Sequence, residues 1–151
     1  MSAARAGHTA ADRGGTTWPQ MLALAIGAIY LLIGISGFFI TGFDDFAEHT
    51  DETLIGFSIN PLHNVVHILI GVAGLVLART LSQARAYGWL LAVVYGAAFI
   101  YGLFAVGKEE PLNFLSINWA DNWLHLVSAL AGLAIAMGPV RHAISGRSSR
   151  V

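Results

Sequence analysis

The sequence has no cysteine and few charged residues, and both shortages restrict what the protein can be. Without cysteine, disulfides and thiolate metal sites are excluded. Charged residues make up 11% of the 151 residues, whereas a soluble domain carries roughly 25%. The net charge of −1 provides no basic surface, so we expect no nucleic-acid partner. Nucleophile motifs, phosphate-binding glycine loops and zinc-protease patterns are also missing, so we predict that the protein is not an enzyme.

Hydrophobic residues form 56% of the chain and are concentrated in four apolar stretches. None of the stretches contains lysine or arginine, and each is close to the roughly 20 residues that span a hydrocarbon core. A soluble protein of this size cannot bury four helices that are apolar on every side. The sequence therefore predicts an all-α, integral membrane four-helix bundle within the lipid bilayer, with helices at about residues 19–40, 61–78, 87–106 and 119–138.

The distribution of basic residues predicts the topology. We expect residues 1–17 to be a disordered tail, 18–140 the membrane domain and 141–151 a basic tail. Seven of the eight basic residues lie in the tails or in the turn after the second helix, and Lys108 is the exception. By the positive-inside rule, both termini are predicted to be cytoplasmic in a multi-pass plasma-membrane protein.

The second and fourth apolar stretches are similar to each other. Residues 58–78 and 116–136 align at an offset of 58, and nine of the 21 positions are identical. Because each copy closes a helical hairpin, the pattern predicts two tandem hairpins, an internal repeat related by an axis along the membrane normal. We also expect the second and fourth helices to be neighbours.

Polar residues mark the beginning of each copy. Asn60 and Asn118 are placed to cap their helices. From each cap, polar residues follow at i, i+3, i+4 and i+7, the spacing of one helix face: Asn60, His63, Asn64 and His67, then Asn118, Asp121, Asn122 and His125. Polar side chains at this depth face protein rather than lipid, so we expect both stripes to point inward at the outer end of the bundle.

This polar cluster has three interpretations. The leading one is structural: interhelical hydrogen bonds fix the packing of a non-enzymatic accessory or structural membrane protein, with no cofactor. The second is a zinc or copper site with ligands at i, i+4 spacing: His63, His67, Asp121 and His125. His67 and His125 are alternatively two axial haem ligands. The third is a small transporter or proton-path subunit, although from the histidines toward Arg79 the second helix contains only apolar residues.

Two expectations concern the surroundings of the cluster. Apolar residues in the loop after the first helix predict a short interfacial helix or a lid over the cluster: Phe46, Leu54, Ile55 and Phe57. Small residues four apart, such as Ala23 with Gly27 and Ala92 with Gly96, predict close helix packing. The same small residues favour a homodimer or a larger membrane complex.

Several motifs resemble those of a bacterial, mostly actinobacterial family catalogued as domain of unknown function 4383. They are L-H-N-x2-H-x3-G-V-A-G-L from Leu62, N-x2-D-N-W-L-H from Asn118, and A-R with A-R-A-Y at 78–79 and 84–87. The resemblance covers nearly the whole chain apart from the tails. It implies a small four-helix membrane protein and implies no activity, substrate or cofactor.

Overall fold

Four helices make up most of the chain in the computed structural model, which describes residues 15–108 and 111–140. They are α1 (Trp18–Thr41), α2 (Pro61–Leu77), α3 (Leu81–Ala105) and α4 (Trp119–Met137). A short antiparallel hairpin, β1 (Thr53–Leu54) and β2 (Phe57–Ser58), lies between α1 and α2. The predicted all-α four-helix fold is confirmed. The C-terminal tail, 141–151, and most of the N-terminal tail, 1–17, lie outside the described residues.

The outer surface of the bundle is apolar. Three helices, α1, α3 and α4, are long and apolar enough to cross a membrane, and α2 is a shorter apolar helix. Large side chains such as Phe39, Leu69, Val93 and Met137 are exposed on all four helices. A monomeric soluble protein does not expose apolar surface on this scale. The chain is a membrane protein.

The third helix begins at Leu81 rather than at the predicted residue 87. Thr80 caps it, since its hydroxyl accepts a hydrogen bond from the backbone amide of Gln83 at 3.2 Å. Residues 81–86 are compatible with a helix, but Gln83 and Arg85 are polar, so the prediction based on apolar stretches did not include this segment. The helix therefore continues beyond its apolar part, and the turn after α2 is short.

The helices pack as two tight hairpins, α1 with α2 and α3 with α4. Glycines make this possible: a Cβ on Gly27 would lie 2.8 Å from the backbone nitrogen of Leu75. Similarly, a Cβ on Gly88 would lie 2.6 Å from the backbone nitrogen of Ala136. Gly27 of α1 is thus used for packing within the chain, whereas the structure shows no such close contact at Gly96 of α3 among the described residues. The homodimer stays a prediction.

The two hairpins meet where α1 contacts α3 and α4 and where α2 contacts α3, so α2 and α4 lie on the long diagonal of the bundle. No Cα atom of α2 comes within 8 Å of a Cα atom of α4, both helices being fully described. The prediction that α2 and α4 are direct neighbours is therefore wrong for their backbones, and the two helices meet only through side chains, such as the rings of His63 and His125. Elsewhere aromatic side chains lie between the two helices: Tyr30 of α1 stacks on Tyr95 of α3, with ring centroids 5.0 Å apart.

In each helical hairpin, one of these tyrosines contacts a histidine of the other helix. The ring centroids of Tyr30 and His67 are 5.1 Å apart, and those of Tyr95 and His125 are 5.4 Å apart. Each pair joins the first and second helix of one hairpin. Duplication of an ancestral hairpin stays a prediction. The two hairpins have a matching tyrosine–histidine contact.

Candidate functional site

Three histidines come together inside the bundle. His63, His67 and His125 are each 3% exposed. The ring of His63 lies 4.4 Å from that of His67 and 5.9 Å from that of His125, measured between centroids. The Nδ1 atoms of all three have no hydrogen-bond partner among the described residues. Because buried polar atoms are nearly always paired, this cluster is the leading candidate for a functional site.

Hydroxyl groups extend the polar interior beyond the histidines. The hydroxyls of Tyr30 and Ser128 are hydrogen-bonded to each other at 2.6 Å. Tyr95, which stacks on Tyr30, is 2% exposed, and Tyr87 is fully buried. Within the described chain, the hydroxyl of Tyr87 has no hydrogen-bond partner. The interior on this side of the histidines is therefore not purely apolar.

Tyr87 brings this series of hydroxyls close to the opposite end of the bundle. Its hydroxyl oxygen would lie 2.8 Å from a Cβ built on Gly74, near the end of α2. Beyond the histidines, α2 itself contains only apolar residues, as the sequence shows. The tyrosines belong to α1 and α3. Sequence reasoning missed Tyr30, Tyr87, Tyr95 and Ser128, because the tyrosines of α1 and α3 do not share the 58-residue offset of the histidines.

The predicted helix caps at Asn60 and Asn118 are confirmed. The side-chain oxygen of Asn60 accepts a hydrogen bond from the amide of His63 at 2.8 Å. That of Asn118 accepts one from the amide of Asp121 at 3.0 Å. Both bonds satisfy amides that have no partner within their helix.

The same asparagines connect the two hairpins. The side-chain amide of Asn60 donates to the carbonyl of Glu48 at 2.8 Å and to that of Phe114, in the loop after α3, at 2.7 Å. The side-chain amide of Asn118 donates to the carbonyl of Gly56, at the tip of the β-hairpin, at 2.9 Å. Each cap therefore binds a loop of the other half. We call the end of the bundle that carries the β-hairpin and the two caps, Asn60 and Asn118, the hairpin end.

The loop before α2 forms a β-hairpin, so the short interfacial helix predicted there is wrong. Ile55 and Gly56 both have positive φ angles, 56° and 87°, which a type I′ turn requires at its two central positions. Hairpin residues Leu54 and Phe57 line a cavity of about 40 Å³ together with His67 and Asp121. The hairpin therefore borders the polar cluster.

Asp121 fastens this hairpin to α4. The residue is 1% exposed, and its Oδ2 atom accepts hydrogen bonds from the backbone amides of Ser58 at 3.0 Å and Asn118 at 3.2 Å. The position in the first turn of α4 also favours a negative charge, because the helix N-terminus carries a partial positive charge. The carboxylate of Asp121 thus accepts hydrogen bonds from the backbone of both β2 and the cap of α4.

We expect Asp121→Ala to lower the free energy of unfolding by about 2 kcal/mol, because two backbone amides lose their acceptor. Asp121→Asn, which retains one acceptor oxygen, should recover most of this loss. Denaturant titration in mild detergent measures both variants. Equal stability of the alanine variant and the parent protein would contradict the fastening role.

Asn64 and Asn122 occupy equivalent places in the two hairpins. The side chain of Asn64 packs directly against Gly37, and that of Asn122 against Gly102. Asn64 donates to the hydroxyl of Thr41 at 3.0 Å. Neither side-chain polar atom of Asn122 has a hydrogen-bond partner within the described chain. The glycines of α1 and α3 thus leave room for amide side chains in the interior.

The structure brings together three of the four predicted metal ligands. The rings of His63, His67 and His125 are adjacent, whereas the carboxylate of Asp121 binds backbone amides. In the described ranges, no three histidine, aspartate or glutamate residues are arranged to hold a metal ion. Zinc, copper or haem binding stays a prediction that requires these side chains to rearrange.

Comparison with known proteins places the chain in a family. A family model described as domain of unknown function (DUF4383) matches residues 20–138. The chain belongs to this family. A further similarity is to vesicular glutamate transporter 2.1 of Danio rerio, at 33% identity over 106 residues. That match covers 65% of this chain and 17% of the transporter, so the chain spans only a small part of that protein. No solved structure matches the chain significantly.

Proposed function

We propose that this family member is a non-enzymatic membrane protein that relays protons through its interior. One observation carries the proposal: ionisable and hydroxyl side chains follow one another from the hairpin end deep into the bundle. The series consists of Asp121, His63, His67, His125, Tyr30, Ser128, Tyr95 and Tyr87. Ionisable residues inside a membrane domain are costly, and they commonly mark proton relays.

The side chains of this series are chemically suited to proton transfer. A neutral imidazole has one nitrogen that donates a hydrogen bond and one that accepts, and a hydroxyl does both. His67 lies against Tyr30, and His125 lies against Tyr95, with centroid distances of 5.1 and 5.4 Å. Proton transfer along the series would require rotations of these adjacent rings that bring their polar atoms within hydrogen-bond distance. The histidine Nδ1 atoms, which have no partner among the described residues, are available for such bonds.

The cavity beneath the β-hairpin provides a place where water can reach the first groups of the proton series. It has a volume of about 40 Å³ and is lined by both His67 and Asp121. A buried water needs roughly 10–15 Å³ measured in this way, so the cavity accommodates about two to four waters. Water there would connect the carboxylate of Asp121 with the imidazole of His67.

The opposite end of the series lies near Arg85. Its guanidinium donates to the carbonyl of Gly138, at the end of α4, at 3.3 Å. The proposal includes the orientation that the basic residues favour, in which this end is cytoplasmic and the hairpin end is on the outside of the plasma membrane. The similarity to a segment of a vesicular glutamate transporter is in line with a role in transport.

Proton flux into liposomes tests the proposal. Purified protein is reconstituted with an internal pH-sensitive dye, and a potassium diffusion potential drives protons inward. We expect a flux above that of empty liposomes and at least a tenfold loss in Tyr30→Phe, which removes one hydroxyl from the series. Tyr101→Phe is the matched control, because the hydroxyl of Tyr101 binds the carbonyl of Leu112 outside the series.

Two other outcomes would favour the competing interpretations. A parent protein with no more flux than empty liposomes would contradict the relay and leave the histidines as a packing device in an accessory membrane protein. Near-stoichiometric zinc, copper or iron, lost in the double variant His67→Ala/His125→Ala, would instead identify a metal or haem site.

A further inference from the structure

A second cavity, of about 190 Å³, opens between α1 and α4. Its lining is apolar except for two hydroxyls, and consists of Ile26, Ile29, Tyr30, Ile33, Leu124, Val127, Ser128 and Ala131. Ile29 and Val127 are 55% and 60% exposed on the outer surface of the bundle. Because this surface faces lipid in a membrane protein, the cavity receives its occupant from the bilayer.

The size of the cavity restricts the occupant to a small apolar body. An engineered protein cavity of about 150 Å³ with aliphatic walls binds benzene. A volume of about 190 Å³ therefore accommodates one six-membered ring with a small substituent. Anything longer has to extend between Ile29 and Val127 into the lipid.

Two hydroxyls give the cavity one polar point. Tyr30 and Ser128 are 4% and 6% exposed, and their hydroxyl oxygens are 2.6 Å apart. The bond between them uses one of their two hydroxyl protons. The other proton is available to an acceptor oxygen inside the cavity, where no water competes with a ligand that fills it.

We propose that this cavity binds a lipid-soluble ring compound with a carbonyl or hydroxyl oxygen and an alkyl tail, the chemical class of the alkyl quinones and phenols. The ring fills the space between α1 and α4, and its oxygen accepts a hydrogen bond from the Tyr30 and Ser128 pair. The tail leaves through the opening beside Val127. The inference concerns binding and does not depend on the proton relay.

Binding of radiolabelled 2-decyl-1,4-benzoquinone to the full chain in nanodiscs tests this inference. After subtraction of uptake by empty nanodiscs, we expect saturable binding of one equivalent per chain. Ala131→Phe, which fills the cavity, should lower the affinity at least tenfold. Ala134→Phe makes the same change on the exposed side of α4 and should bind like the parent protein. Ser128→Ala should weaken binding about fivefold by removing one hydroxyl.

Three results would overturn the inference. They are uptake that never saturates, unchanged binding by Ala131→Phe, and equal competition by decylcyclohexane, which has the ring and the tail but no oxygen. The last result would show that the cavity accepts any hydrocarbon, including a lipid acyl chain. Ala131→Phe replaces none of the side chains proposed to carry protons, so its flux and its quinone binding report separately on the two proposals.

Discussion

Replacing Gly71 with valine should destabilise the protein by about 3 kcal/mol or more, whereas the same replacement at Gly96 should change stability little. A Cβ on Gly71 would lie 2.7 Å from the Cα atom of Leu31 and would also meet its backbone nitrogen. The backbone of α1 can yield only if the two helices separate, and overpacking of this kind typically costs about 1–3 kcal/mol or somewhat more. Among the described residues, apart from its chain neighbours and its own helix backbone, no atom lies within 4 Å of a Cβ built on Gly96.

The two glycine variants form a matched pair. Both place valine inside a helix of the same membrane protein, so the intrinsic effect of a β-branched residue is the same in each. Thermal unfolding in mild detergent, followed by circular dichroism, gives the two midpoints. Similar midpoints for Gly71→Val and Gly96→Val would show that α1 and α2 are not in the close contact described above.

The second large effect is expected for Asn60→Ala, which should lower the free energy of unfolding by about 4 kcal/mol. The variant loses the cap of α2 and leaves the carbonyls of Glu48 and Phe114 without this donor. Asn60 is fully buried, and each buried group left unpaired costs about 1–3 kcal/mol. The loss therefore exceeds that of a helix cap alone, which is typically about 1 kcal/mol.

Asn118→Ala provides the comparison. Asn118 caps α4 in the same way, but its bond to Gly56 is exposed, so water replaces part of what the variant loses. We expect a loss of about 1–2 kcal/mol. Denaturant titration of both variants measures the difference. An equal loss in the two would contradict the structural connection between Asn60 and the loop after α3.

The sequence was informative where structure depends on neighbouring residues. A cap is a contact between a residue and the amide three positions later, so Asn60 and Asn118 could be identified without knowledge of the fold. The inward direction of the polar stripes followed from helical spacing and from the cost of exposing them to lipid. The β-hairpin could not be predicted, because its turn places a β-branched residue, Ile55, at a positive φ angle.

The tyrosines were missed because the two halves have loops of different length. The histidines His67 and His125 correspond at an offset of 58, whereas Tyr30 and Tyr95 lie 65 residues apart. A single offset along the chain therefore detects α2 and α4 but not α1 and α3. The site depends on packing between these four helices, and only the structure supplies the second correspondence.

The bond between Asn60 and Phe114 also has a consequence for the biogenesis of the protein. Its partners are separated by 54 residues in the chain, which a ribosome adds in about 3–11 seconds at roughly 5–20 residues per second. During that interval the first hairpin has been synthesised while the side-chain amide of Asn60 still lacks one of its acceptors. A chain that stalls or is truncated before α3 is complete keeps this defect permanently.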